Sequence, residues 1–440
     1  MKRREGCHFY INIVNFNEVV AKEEDRSGKV THAVHALDTF FSSIELYGKK
    51  NYRDTFVVEK VTGSRLHMYV TGDIGSTYNA IIDIAFYAYA LSIYLNKNVG
   101  KYKSLMDFEI QVGCCYGKFY DFIFRIDTDK EEETTIGYAA NYAAKLQNLT
   151  NAGFISISEN MYNSINGEAR NIFSMRTDER IRKYEQTCYY TANMSSFMTT
   201  KRVERGIEDA KQVANRVDLY EMNFQSPSTK INLDYLTKKE GKKIEGIPLF
   251  ADVREFTSQF AEDDSNLLEM AKKTQEILMS MYKIVDKDGT HIQFQGDREF
   301  ALYHNYKDYD CCVDAVLAGM RIIDAVREYK VCVGVGQSLG KMFVSKIGAR
   351  GEKDIVVLGH TVMVADSFED NYAGKNQLVI GNEIYQVLKI KNEHLANQFI
   401  QLNSTCYYTT VGHKKFTQLL EEERLKNNNR QRNYNGAWRA

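Results

Sequence analysis

Two stretches of the chain alternate apolar and polar residues on both sides of a glycine. His291-Ile-Gln-Phe-Gln-Gly-Asp-Arg-Glu-Phe-Ala-Leu-Tyr-His304 turns at Gly296-Asp297, and Val58-Glu-Lys-Val-Thr-Gly-Ser-Arg-Leu-His-Met-Tyr-Val70 turns at Gly63-Ser64. A period of two about a tight glycine turn predicts a β-hairpin. One hairpin carries a carboxylate at its tip and the other a serine.

The pattern around the hairpins also repeats. The first half predicts a strand over residues 8–16, a helix over 31–44, the hairpin, a helix over 80–96 and a strand from Phe108. A helix then begins near Gly137 and holds Asn141 and Lys145, and 154–162 reads as a strand running into a helix. The second half gives a strand over 248–257, a helix over 266–282, the hairpin, a helix over 309–329, a strand from Val331 and a strand-to-helix segment over 378–385. Both halves end in Thr-Cys-Tyr-Tyr-Thr, at 187–191 and 405–409. A shared order with a shared ending indicates internal duplication. Strands and hairpins mixed with helices predict an α+β fold, with helices packed on a mainly antiparallel sheet in each half. The expected division is a first domain over 1–195, a polar linker over 196–245 with a helix over 203–220, a second domain over 246–415 and a charged, solvated tail over 416–440.

Composition narrows the function classes. The 440 residues are 44% hydrophobic and 26% charged, which is ordinary for a globular chain. A net charge of −1 provides no global field for nucleic acid or an anionic membrane. The longest apolar run, 80–94, contains Asp83 and several tyrosines and reads as a core helix. The basic start has no apolar segment behind it, so no signal peptide and a cytoplasmic location are expected. The eight cysteines form no C-x-x-C pair and read as reduced core residues. The nine histidines show no zinc spacing. Gly334-Val-Gly336-Gln-Ser-Leu-Gly340 looks like a dinucleotide fingerprint but lacks the helix pattern that should follow.

Three segments of the second half carry a family resemblance. They are Phe250-Ala-Asp252-Val-Arg-Glu-Phe256-Thr257, Gln295-Gly-Asp297, and Gly348-Ala-Arg-Gly-Glu-Lys-Asp-Ile-Val-Val-Leu-Gly-His-Thr-Val362. Together they resemble the class III nucleotide cyclases, the adenylyl and guanylyl cyclase superfamily. The resemblance implies two tandem catalytic-type domains facing head to tail, with active sites between them. One face of such a site supplies two aspartates for two divalent ions, Mg2+ or Mn2+; the other supplies base-reading groups, an Asn and an Arg. Carried over, the metal ligands are Asp252 and Asp297, with the Val253 backbone carbonyl. The second half has Met363 and Ser367 where the Asn and Arg belong. The first half has Asn12 and Ser64 in place of the acids, but keeps Asn141 and has Lys145 for the Arg. The resemblance therefore implies one composite site and one pseudo-site.

The implied reaction is attack of a ribose 3′-hydroxyl on the α-phosphorus of a nucleoside triphosphate, expelling pyrophosphate. Two hard cations on two carboxylates suit it. Amides near Phe256 and Thr257 would bind the β- and γ-phosphates. Asn141 and Lys145 lie four apart on a helix and share a face. Asn141 would orient the ribose, and Lys145 would stabilise charge on the α-phosphate, without the planar fork of an arginine. Lys60 and Thr134 sit at the base-reading offsets; their second-half counterparts are Gln293 and Val356. A donor beside an acceptor matches the edges of adenine and cytosine, so the pair argues for ATP or CTP and against GTP and UTP; the resemblance to cyclic-pyrimidine enzymes noted below puts CTP ahead. The ordinary alternatives are an N-cap for Asp252, a turn residue for Asp297, a strand lysine for Lys60 and a solvated helix lysine for Lys145. The family's phosphate-binding Arg on the metal side has no match, with Lys330 or Lys341 nearby.

Stand-alone soluble members of this superfamily include bacterial antiphage enzymes that make cyclic pyrimidine nucleotides for a separate effector, and the chain looks like that group. A monomer would contain one complete site. The competing expectations are an adenylate cyclase, a non-catalytic nucleotide-binding protein and a pure interaction scaffold.

Overall fold

The computed structural model describes residues 2–98, 108–127, 130–197, 199–216, 223–237, 240–254, 267–348 and 354–422. The first half contains strands β1 (Lys2–Ile13), β2 (Phe56–Thr62), β3 (Arg65–Thr71), β4 (Ile110–Asp127), β5 (Lys130–Ile136), β6 (Phe154–Ser158), β7 (Ser174–Arg176) and β8 (Tyr189–Asn193). Its main helices are α1 (Phe16–Ser27), α2 (Thr31–Asn51), α3 (Ile74–Asn98) and α4 (Tyr138–Leu149). The second half contains β9 (Asn223–Gln225), β10 (Glu240–Arg254), β11 (Thr290–Gln295), β12 (Arg298–His304), β13 (Cys332–Gln337), β14 (Gly340–Ile347), β15 (Asp354–Leu358), β16 (Gln377–Gly381), β17 (Ile400–Gln401) and β18 (Cys406–Thr409).

The two sheets repeat one topology. The first runs β2-β3-β1-β4-β6-β8-β7 with β5 on β4; the second runs β11-β12-β10-β13-β16-β18-β17 with β14 on β10 and β15 on β14. Within these repeats only β4/β6 and β13/β16 pair in parallel. Both predicted hairpins form. Gly63 (φ 57°) and Gly296 (φ 71°) take the left-handed conformation at the first turn position, which leaves Ser64 and Asp297 at the tips.

The halves are joined by reciprocal arms. Phe122 and Ile136, on the β4–β5 ribbon, are buried in the core of the second half. Phe343, Ile347, Val356 and Leu358, on β14–β15, are buried in the core of the first. The Asp38 carboxylate on α2 accepts a bond from Gly348 N at 2.6 Å. Each domain thus completes its hydrophobic core with a hairpin from the other, and this fixes their relative orientation.

The remaining elements follow from local pattern. The stretch Ile74–Asn96 is long and apolar enough to cross a membrane, but 72% of its most apolar window is buried inside the protein, so it is a core helix. Part of the expected linker is helical: a helix over Thr200–Arg216 packs on α2 and α3, with Arg205 5.5 Å from the Tyr47 ring centroid, and residues 217–220 of the expected helix lie outside the described residues. β10 starts at Glu240, inside that linker, and its first residues pair with β9. Residues 413–422 are helical and bury Phe416; the rest of the expected tail, 423–440, lies outside the described residues. The eight cysteines form no disulfide and are buried, except for half-buried Cys332.

Candidate active site

Asp252 lies near the end of β10, in register with Arg298 on β12. Arg298 directly follows Asp297, so adjacent strands carry the two acids to one place. Tyr184 of the first half faces both. Its pKa is raised by burial first, and further by Asp297, Asp252 and Asp370, so it stays a neutral phenol. Val253 lies opposite Val333 of β13, and Phe256 and Thr257 lie outside the described residues.

Two arginines brace the acids. Arg254 is two residues beyond Asp252 on the same strand face. Its Nη1 donates to Asp252 Oδ2 at 3.2 Å. Its Nη2 lies 2.6 Å from Glu369 Oε1 and also bonds the Glu369 and Ala373 carbonyls. The guanidinium crosses directly over Gly334, where any Cβ would overlap it. Arg298 Nη2 lies 2.6 Å from Asp366 and 2.7 Å from Glu369 Oε2, with its guanidinium 4.2 Å from the Phe250 ring centroid. Glu369 is buried and its pKa is raised, mainly by burial, with the arginines opposing and Asp252 adding. The sequence signal for both arginines was spacing: period two for Arg254 and adjacency for Arg298. Two convergent aspartates from neighbouring strands form an all-oxygen donor set that fits a hard divalent cation. Arg254 is the internal cation such an ion would meet at Asp252.

The opposing face comes from α4. This helix lies tight against β4, since a Cβ on Gly113 would collide with the backbone of Gln147. That contact brings Asn141 to the hairpin tip: a Cβ built on Gly296 would sit 3.7 Å from Asn141 Oδ1. Lys145, one turn on, acts on Asp178. Arg180 binds that carboxylate through Nε at 2.9 Å and Nη2 at 2.8 Å. Arg180 first, with Lys145 adding, holds Asp178 down to about 2. Arg180 and Tyr184 share the short 3-10 helix Glu179–Tyr184. Sequence reasoning missed both; the Asp-Glu-Arg start of that turn was their only signal.

Between the faces lies a cavity of about 120 Å³ lined by Tyr10, Glu59, Lys60, Thr135, Asn141 and Gly296, among others. The expected base readers already have protein partners here. Lys60 lines the cavity, but its Nζ donates to Glu132 Oε1 at 2.7 Å and to the Phe294 carbonyl at 2.5 Å. The Thr134 hydroxyl donates to Glu59 Oε1 at 3.1 Å. The cause is a bulge in β2 between Val58 and Lys60, which turns both Glu59 and Lys60 inward.

Behind Glu59 runs a buried chain. His67 Nδ1 lies 3.1 Å from Glu59 Oε2, and His67 Nε2 lies 3.0 Å from His8 Nδ1. Burial lowers the His8 pKa to about 3. These three residues lie close enough to suit a metal ion. However, Glu59 and His8 engage opposite nitrogens of one ring, so a single ion at this geometry would take only two of them. The chain is a hydrogen-bond network that fixes the wall of the cavity.

The equivalent cleft on the other side of the pseudo-dyad has a volume of about 340 Å³. Ser64 Oγ donates to Asn12 Oδ1 at 2.9 Å, a neutral pair where the acids would be. Met363 is 41% exposed, and Ser367 Oγ accepts from Asn371. Arg65, Arg298, Asp366 and Asp370 also line this cleft.

No protein-family model matches the chain, and no curated protein sequence matches it. Solved structures do. A class III adenylyl cyclase-like ATP-binding protein from Pseudomonas aeruginosa superposes with a TM-score of 0.68 at 17% identity, over 95% of this chain and 90% of that one. The adenylyl cyclase CyaB from P. aeruginosa matches at TM-score 0.33 and 18% identity, over 38% of this chain and 94% of its own. A guanylyl cyclase domain from the fungus Blastocladiella emersonii matches at TM-score 0.33 and 16% identity, over 38% and 96%. The chain therefore has the fold of two tandem class III adenylyl cyclase-like domains, packed head to tail as an intramolecular pseudo-heterodimer.

Proposed function

We propose that the composite cleft binds a nucleoside triphosphate and cyclises it to the 3′,5′-cyclic monophosphate, releasing pyrophosphate. The observation that carries this reading is the approach of Asn141, from the first half, to the Gly296–Asp297 tip of the second. Asp252 and Asp297 are the residues that would hold divalent cations. Two Mg2+ or Mn2+ ions there would acidify the ribose 3′-hydroxyl and neutralise charge on the α-phosphate. Asn141 orients the ribose. Lys145 and Arg180 offer positive charge to the triphosphate, and Tyr184 offers a neutral donor beside the acids. Phe256 and Thr257 are proposed to cradle the β- and γ-phosphates through their amides.

The proposed substrates are CTP and ATP, on the chemistry of Lys60 and Thr134, which requires both to exchange partners; CTP stands first only on the resemblance to the cyclic-pyrimidine enzymes. The Pseudomonas protein's description as ATP-binding argues for adenine. The wider role we assign is second-messenger synthesis for a separate effector in antiviral defence. Phage plating on cells carrying wild-type or Asp297→Asn protein tests that role, and equal plating would refute it.

A second reading, nucleotide binding without turnover, is favoured by Arg254 on Asp252 and by Lys145 in place of an arginine. Incubation with ATP, CTP, GTP and UTP and Mn2+ separates the two. A cyclic product lost in Asp297→Asn supports the cyclase; nucleotide binding with no pyrophosphate release supports the second reading.

A further inference from the structure

The base-reading position holds a lysine whose charge is committed across the domain boundary. β11 is an edge strand, paired within its sheet to β12 alone. Edge strands leave backbone groups that need partners when buried. At Phe294, which is fully buried, those partners come from the other half. Its N–H donates to both Glu132 oxygens at 3.1 Å, and its carbonyl accepts from Lys60 at 2.5 Å. Lys60 and Glu132 are themselves paired at 2.7 Å. A zwitterionic pair from β2 and β5 thus takes the place of a neighbouring strand.

The network continues into the hairpin. His291 on β11 lies 3.4 Å from Glu132 and 2.7 Å from Glu299 on β12. The Tyr282 ring packs edge-on against His291. Phe294 is three residues before Asp297, so whatever holds Phe294 also holds the hairpin tip over Asn141.

The pseudo-dyad provides an internal control. Val61 on β2 is the counterpart of Phe294, and Asp354 on β15 is the counterpart of Glu132. Asp354 Oδ1 accepts from Val61 N at 3.3 Å. The lysine has no counterpart on that side, where Gln293 stands. The clasp is therefore built fully only beside the acid-bearing hairpin.

We infer that Lys60 and Glu132 are positioning residues: they dock the β11 edge and so hold Asp297 opposite Asn141. This inference rests on the reading of Asp252 and Asp297 as a cation site. It assigns Lys60 a task that operates before any nucleotide arrives.

The test is Mn2+ uptake by the nucleotide-free, full-length protein, followed by electron paramagnetic resonance of the free ion, with thermal stability recorded for each variant. Glu132→Gln and Lys60→Met should each weaken Mn2+ binding by roughly 10-fold or more, the range typical of outer partners of metal ligands. Asp354→Asn should leave Mn2+ binding as in wild type. Equal Mn2+ binding by wild type, Lys60→Met and Glu132→Gln overturns the positioning role while leaving the cation site standing. Equal weakening in all three variants also overturns it, since that is what general loosening of the interface would do. Absence of Mn2+ uptake by the wild type removes the cation site and this inference together.

Discussion

The two clefts between the halves descend from one pattern, yet they hold opposite chemistry. On one side, Asp252 and Asp297 sit on adjacent strands and both act on Tyr184, and Asn141 reaches the hairpin tip. On the other, a neutral Asn12–Ser64 bond replaces the acids, and Met363 replaces the Asn. Each half has lost what the other keeps. Independent decay would not partition the residues so cleanly, whereas specialisation after duplication does. The surroundings follow the same asymmetry, since Lys60 and Glu132 clasp one hairpin edge while Asp354 caps the other, where Gln293 stands in place of the lysine.

The sharpest way to break this comparison is to substitute the acids of one cleft and the hairpin-tip serine of the other. Asp297→Asn or Asp252→Asn should lower turnover by about a thousandfold, while Ser64→Ala stays within about twofold, because only the first side stabilises transition-state charge. Steady-state pyrophosphate release measures both, and equal losses on the two sides would end the one-site description. Next, Asn141→Ala should cost about a hundredfold in kcat, with Met363→Ala near wild type.

The clasp predicts an asymmetry in stability. Glu132→Ala leaves Lys60 buried without its carboxylate and should cost about 3–5 kcal/mol. Asp354→Ala removes a long hydrogen bond to Val61 N and leaves no buried lysine without its carboxylate, so it should cost less, about 1–2 kcal/mol. Urea unfolding of the two variants tests this, and similar losses would show that the two edges are held alike.

The smallest expected effect is in pH. Burial opposes ionisation of both groups, but Lys60 and His291 hold Glu132 down to about 2 from its ordinary 4.5, and Glu299 with Glu132 holds His291 up at about 10 from 6.5. The lowered Glu132 contributes stability above pH 4.5 that is lost as pH falls toward 2. The raised His291 contributes stability below pH 6.5 that is lost as pH rises toward 10. The Tm difference between wild type and His291→Gln should therefore be largest between pH 4.5 and 6.5 and shrink toward pH 10. A difference that grows with alkalinity would contradict the ion network.

The hairpins, the duplication and most elements were legible because they are local patterns. Period two about Gly63 and Gly296 needs no tertiary context, and neither does the helical pattern that places Asn141 beside Lys145. The exchanged arms were not legible. Phe122 and Val356 are apolar strand residues in sequence, and nothing local says that each completes the other domain's core. Lys60 is the instructive case. Its spacing before Gly63 fitted a base reader, but the bulge at Glu59 shifted the strand's facing, and its partners lie at residues 132 and 294. Partners that distant in sequence become visible only once the edges of the two sheets face one another.

The most direct test of one catalytic cleft is incubation of pure protein with each of the four ribonucleoside triphosphates and Mn2+, with chromatographic detection of cyclic product. One triphosphate should give a 3′,5′-cyclic monophosphate with equimolar pyrophosphate, abolished in Asp297→Asn and retained in Ser64→Ala. Nucleotide binding with no cyclic product from any of the four would contradict it.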